Sequence, residues 1–296
     1  MRPITLLLGA LPLALARDPL NQILSSLLFT LYSHDPTTLT VRLSPFLIST
    51  ENNIPTPLGT SSLWQHAIEP PPTDLLPWGP QHRHVDFATM QAVAVTTILE
   101  NDVPAILVVR VRITKQNELN EVETMVVRDD VEGARGYRAV ADDSKAEMGP
   151  ESEEDVSGGV WRIEEARVGE LVGAYFQARD KGESVEGMFA EGCYRVDNGR
   201  VSEACELEGG GVYVPWAGQS TRFRGRRLVV HGTDVARQGA FSFATVDVEG
   251  EGAVPRSWLV AESVRLDGKE KIDRVELIWT EVAYGSDVEF KQAEKW

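Results

Sequence analysis

The sequence predicts an α+β protein built from two copies of one unit, each a helix packed on a curved antiparallel sheet. Three landmarks recur in the same order and carry that prediction. Leu20 to Tyr32 sets Ile23, Leu24, Leu27, Leu28 and Leu31 on one helical stripe ahead of His34-Asp35, and Val168 to Phe176 repeats the pattern ahead of Arg179-Asp180. FLISTEN at 46–52 is echoed by CYRVDN at 193–198. PAILVVRVRITKQNELNEVETMVV at 104–127 is echoed by PRSWLVAESVRLDGKEKIDRVELIW at 255–279. The offsets are 145, 146 and 153, so extra residues fall between landmarks and not inside them.

Each copy therefore reads helix, polar strand, loop, then a long antiparallel pair of strands. The pair turns at Lys115 to Asn117 in the first copy and at Asp267 to Lys269 in the second. The copies are expected at 17–128 and 161–290, with a short tail at 291–296. Between them, 129–160 is an acidic linker: ten Asp/Glu face three Lys/Arg over 129–159, with no hydrophobic period.

The first 16 residues read as an address. Arg2 precedes an apolar run from Ile4 to Leu15 that closes on Ala14-Leu15-Ala16, the form of a secretory signal with its cleavage site. The run is too short to span a bilayer, which takes about 20 apolar residues. A secreted, extracellular protein is expected. In an oxidising compartment the two cysteines, Cys193 and Cys205, pair with each other.

Charge excludes several partners. Lys+Arg 29 against Asp+Glu 45 gives a net charge of −16 in a chain of 296 residues. Such a chain repels phosphate backbones and anionic membranes, so neither nucleic acid nor membrane is an expected partner. There is no phosphate loop, dinucleotide fingerprint or nucleophile elbow, and no cofactor is expected. His82, His84 and Asp86 lack an evident third metal ligand, and two cysteines without a nearby histidine do not make a metal set.

The tandem arrangement resembles nuclear-transport-factor-2-like (SnoaL-like) domains, and more closely a family of secreted fungal proteins of unknown function. The resemblance rests on Pro57-Leu58-Gly59 with Leu63-Trp64, on the strand pair Asn101 to Arg112 and Leu119 to Arg128, and in the second copy on Ala174-Tyr175-Phe176, Gly192 to Gly199, and Trp258 to Leu266 leading into Ile272 to Glu276. It implies two tandem SnoaL-like cones. It implies no chemistry, because such folds host isomerases, dehydratases, cyclases and pure binding modules alike.

Strand alternation narrows the search for a site. In the first copy Leu107, Val109, Val111 and Ile113 share one face, and Arg110 and Arg112 the other, where they are solvated or paired with acids on neighbouring strands. In the second copy the apolar row is Trp258, Val260, Glu262, Val264 and Leu266, so a carboxylate stands where the first copy has Val109. Glu262 with His231 would form an acid–base pair if both point inward. Glu262 paired with an arginine such as Arg227 would serve only the core. Ligand contacts are assigned to Trp258, Trp279, Phe243 and Tyr194.

The leading expectation is a secreted protein that binds a small hydrophobic molecule in the second cone. The alternatives are a cofactor-independent isomerase, dehydratase or cyclase using Glu262 and His231, and a structural or interaction module with filled cones. The expected assembly is a monomer, with the two copies forming an internal pseudo-dimer, or a homodimer.

Overall fold

The computed structural model describes residues 19–69, 82–128, 165–202, 205, 220–231, 239–249, 255–267 and 269–284; the side chains of 82, 165, 200–202 and 220–231 lie outside that description. The expected signal segment, acidic linker and tail fall outside it as well. The protein is α+β, as the periodicities predict.

The first half runs α1 (Pro19–Ser33), a 3₁₀ turn (Pro36–Thr38), β1 (Arg42–Glu51), β2 (Ile54–Pro55), α2 (Ser62–His66), β3 (Ala67–Ile68), β4 (His82–Asp86), β5 (Gln91–Glu100), β6 (Val103–Ile113) and β7 (Glu118–Val127). The second runs α3 (Glu165–Lys181), β8 (Phe189–Asp197), β9 (Arg200–Ser202), β10 (Ser220–His231), β11 (Gly239–Glu249), β12 (Arg256–Leu266) and β13 (Ile272–Val282).

The two sheets share one topology. The first is ordered β2-β1-β7-β6-β5-β3, with β4 also on β5; the second is β9-β8-β13-β12-β11-β10. In each, the strand after the helix forms a short hairpin and then lies parallel to the last strand of the meander. Both hairpins turn on residues in the left-handed region, Asn52-Asn53 and Asn198-Gly199, the pattern that matches strand twist in a two-residue turn. The turns that close the meanders also correspond. Thr114 and Asn117 make the bonds that Asp267 and Glu270 make, and Asn117 and Glu270 both adopt positive φ.

The packing forms four layers: α1, first sheet, second sheet, α3. The leucine stripe of α1 covers one face of the first sheet through Leu107, Val109, Val111 and Ile113. The opposite face, with Val93, Val95, Ile106, Val108, Met125 and Val127, packs on Val196, Phe241, Phe243, Leu259, Ala261 and Ile278 of the second sheet. Each sheet thus removes the other's apolar face from water, the main source of stability in such a layer.

Arg110 and Arg112 lie on this inter-sheet face of β6 and are paired, the second of the two environments expected for them. Arg110 donates to Glu123 at 2.8 Å, to Glu121 at 2.6 Å and to Gln91 at 2.6 Å, and Arg112 donates to Glu121 at 2.9 Å. Arg110 is fully buried, so these carboxylates replace the water its charge gives up.

Candidate functional site

The helix-facing, or inner, faces of the two sheets differ in one respect that bears on function. In the first half a single apolar cluster runs from the α1 leucines across Ala105 to Ile113 and ends on Leu63, Trp64 and Ala67. The segment α2–β3 plugs the far end of the face. Ser62 donates to Glu100 at 2.9 Å, and Glu100 is clamped in turn by Arg128.

In the second half the described residues of the inner face form two clusters. One cluster lies under α3 and includes Val168, Val172, Tyr175, Phe176, Val264 and Val275. A separate one holds Val246, Val248, Val260 and Leu277, with the partly exposed Trp258 and Trp279 packed against it. Glu262 sits between the two, because it follows Val260 and precedes Val264 on the inner row of β12.

Glu262 is only 2% exposed, and side chains from α3 engage both of its oxygens. The Tyr175 hydroxyl donates to Oε1 at 2.8 Å, and Arg179 forms an ion pair with Oε2. Tyr175 and Arg179 are one helical turn apart, so both project from one face of α3. The Arg179 guanidinium also lies 5.3 Å from the Phe176 ring centroid and donates to Asp180 at 3.2 Å. A second pair, buried Arg195 with half-buried Asp197, stands two strands from Glu262, where β8 sets Arg195 opposite Val275 and Asp197 opposite Leu277. Arg195 donates to Asp197 at 2.6 Å. Burial pushes the Asp197 carboxyl above its ordinary range, against the pull of Arg195.

The first half lacks the Glu262 set at the matching places, but Glu51, which lies opposite Thr124 as Asp197 lies opposite Leu277, is also paired with an arginine, Arg128. Val109 faces Thr124 as Glu262 faces Leu277. The helix positions that correspond to Tyr175 and Arg179 hold Thr30 and His34, and His34 bonds the Ala67 carbonyl at 2.8 Å.

Of the site residues expected from sequence, the structure brings Glu262, Trp258 and Trp279 to one face. Phe243 and Tyr194 lie on the opposite face, against the first sheet. The arginine that meets Glu262 is Arg179. The side chains of Arg227 and His231 lie outside the described residues, and the strand register sets His231 opposite Gly239, while Glu262 lies opposite Ser242 and Ser242 opposite Leu228. His231 is thus two strands and three positions from Glu262. His84 faces the second sheet, 5.5 Å from the Phe241 ring and 3.3 Å from the Ser263 hydroxyl. Among the described residues no group of three His, Cys, Asp or Glu is placed to hold a metal ion.

Tyr175 and Arg179 were missed because they look like ordinary members of an amphipathic helix. The one available signal was Glu262 itself, since a carboxylate in an apolar row requires a donor from the element packed above it.

The Cys193–Cys205 disulfide is formed and lies in the cluster under α3. It ties the chain leaving β9 to the strand that carries Arg195 and Asp197.

Residues 162–279 match a family described as a domain of unknown function (DUF8021), and the match lies wholly within the second half. A search of curated proteins finds no match to the chain.

Proposed function

We propose that this is a secreted protein of two tandem SnoaL-like cones, in which the second binds a small hydrophobic molecule and the first is a filled scaffold. The observation that carries the reading is that the described residues of the second inner face form two separate clusters. Two partly exposed indoles, Trp258 and Trp279, flank an apolar group that adjoins a buried ion pair, whereas the same face of the first half is closed by Leu63 and Trp64. Apolar walls with a few fixed polar groups are the usual composition of a small-molecule site. Secretion is supported by the signal-like first 16 residues and by the disulfide.

Binding is favoured over acid–base catalysis by the state of Glu262. Tyr175 and Arg179 already engage both of its oxygens, and the register separates it from His231. A general base must reach the proton it takes, and this carboxylate is held as part of the wall.

Native mass spectrometry of the chain purified from a secreting host tests the reading. A retained small molecule, lost when Trp258 and Trp279 are both changed to Ala, is the expected result. A wild-type protein that carries nothing and takes up no hydrophobic probe would overturn it. The denatured mass reports separately on removal of residues 1–16.

A further inference from the structure

The hairpin between β8 and β9 turns on Asn198-Gly199, the one Asn-Gly pair in the chain. The fold selects that pair. Asn198 has a φ of 44° and Gly199 a φ of 84°, and Asn followed by Gly is the favoured filling of a two-residue hairpin turn in that region. The same pair is the dipeptide most open to cyclisation, because glycine has no β-carbon to shield its amide nitrogen or restrict its rotation. Turn geometry thus places a chemically labile pair in the second half.

The reaction has a defined course. Solvent base takes the Gly199 amide proton, and the nitrogen attacks Cγ of Asn198. The new C–N bond closes a succinimide ring while the bond from Cγ to Nδ2 breaks, and ammonia leaves with a proton drawn from solvent. Water then opens the ring at either carbonyl, giving aspartate or isoaspartate.

The fold holds the attacked carbon in place. Asn198 is 6% exposed, its Nδ2 donates to the Trp279 carbonyl at 3.2 Å, and its Oδ1 accepts from the Trp279 amide at 2.9 Å. Swinging Cγ onto the Gly199 nitrogen breaks both bonds, so the hairpin must first part from β13. Conversion also blocks the return. A carboxylate at 198 has no proton to give the Trp279 carbonyl, and isoaspartate adds a carbon to the main chain inside a two-residue turn.

The first half supplies the contrast. Asn52 makes the corresponding bonds to β7, but Asn53 follows it and brings a β-carbon beside the amide nitrogen.

We infer that Asn198-Gly199 is a deamidation site that the hydrogen bonds to Trp279 keep shut, so that its conversion is a one-way record of hairpin opening in the second half.

Peptide mapping by mass spectrometry tests this on the full chain, held in mildly alkaline buffer with and without denaturing urea. Trypsin releases residues 196–200, which contain one asparagine. In urea this peptide should convert faster than the one bearing Asn52. In the folded chain it should convert at least about tenfold more slowly than in urea, as for a site reached only through local opening. Equal rates with and without urea, or conversion in urea no faster than at Asn52, would overturn the inference.

Asn198→Asp reproduces the aspartate product. Hydrogen exchange at the β8–β9 hairpin should speed up at least about tenfold in this variant, while the β1–β2 hairpin exchanges as in wild type. Unchanged exchange at β8–β9 would show that conversion does not release the hairpin. The urea comparison decides the matter alone if the variant does not fold.

Discussion

Asn52 and Asn198 lie 146 positions apart and hold the last strand of their respective sheets with the same three hydrogen bonds. The Asn52 amide donates to the Thr124 carbonyl at 2.9 Å, its Nδ2 donates to the Val126 carbonyl at 3.1 Å, and its Oδ1 accepts from the Val126 amide at 2.8 Å. Asn198 repeats the set on Leu277 and Trp279, at 2.8, 3.2 and 2.9 Å. Each side chain thus acts as an extra peptide unit where the hairpin leaves the strand. Asn also tolerates the positive φ that both turns require.

Asn198→Ala should therefore lose two side-chain bonds and the tolerance of positive φ that the Asn side chain provides. A loss of about 1–3 kcal/mol is expected, and about the same for Asn52→Ala. Urea unfolding of each variant measures it. A loss confined to one of them would mean that the two hairpins are not energetically equivalent.

The duplication was legible in the sequence because it is a matter of backbone. Turn residues, strand alternation and the apolar helix stripe are local, so their offsets of 145, 146 and 153 survive into matched hydrogen bonds. The equivalence of Glu262 in the second half to Val109 in the first was legible for the same reason. What could not be read was depth. Phe243 and Tyr194 alternate correctly along their strands, yet which face meets the first sheet depends on how the halves pack. The partners of Glu262 come from a helix more than eighty residues away, 87 in the case of Tyr175, and nothing local links them.

Glu262→Gln leaves Arg179 buried without its full counter-charge, and a loss of about 3–5 kcal/mol is expected. Replacing both members, Glu262→Val with Arg179→Met, recreates the uncharged character of the first half and should recover most of it. Denaturant melts of the single and double variants give the coupling directly. If the double variant is as unstable as the single, the pair does more for the fold than neutralise itself.

Glu100 supplies a pH dependence with a definite sign. Burial works to raise its carboxyl, but the bonds and charge of Arg128, with Ser62, hold it below the ordinary value of 4.5. A carboxyl depressed in the folded state adds stability above its unfolded value, and that stability is lost as pH falls through the folded value. Wild type should lose urea resistance as the pH drops below 4.5, and Glu100→Gln should lose less over that range while being weaker at pH 7. Equal slopes for the two proteins would show that Arg128 does not stabilise this carboxylate.

Phe243→Leu tests the assignment of faces. Phe243 is fully buried between the sheets, so the substitution should cost less than about 1.5 kcal/mol if the core repacks. Affinity for a small hydrophobic probe, 4-biphenylmethanol, should stay within about twofold of wild type, a change below the size of one ordinary contact. A selective loss of binding in a stable Phe243→Leu protein would move the site to the sheet interface.

The indole N–H resonances of the tryptophans test the account most directly, because Trp64 is buried in the cluster of the first half and Trp258 and Trp279 are partly exposed on the inner face of the second. On titration with 4-biphenylmethanol the Trp258 and Trp279 signals should shift together and saturate, while Trp64 stays in place. A shift at Trp64 with Trp258 and Trp279 unmoved would contradict the assignment of the ligand to the second half.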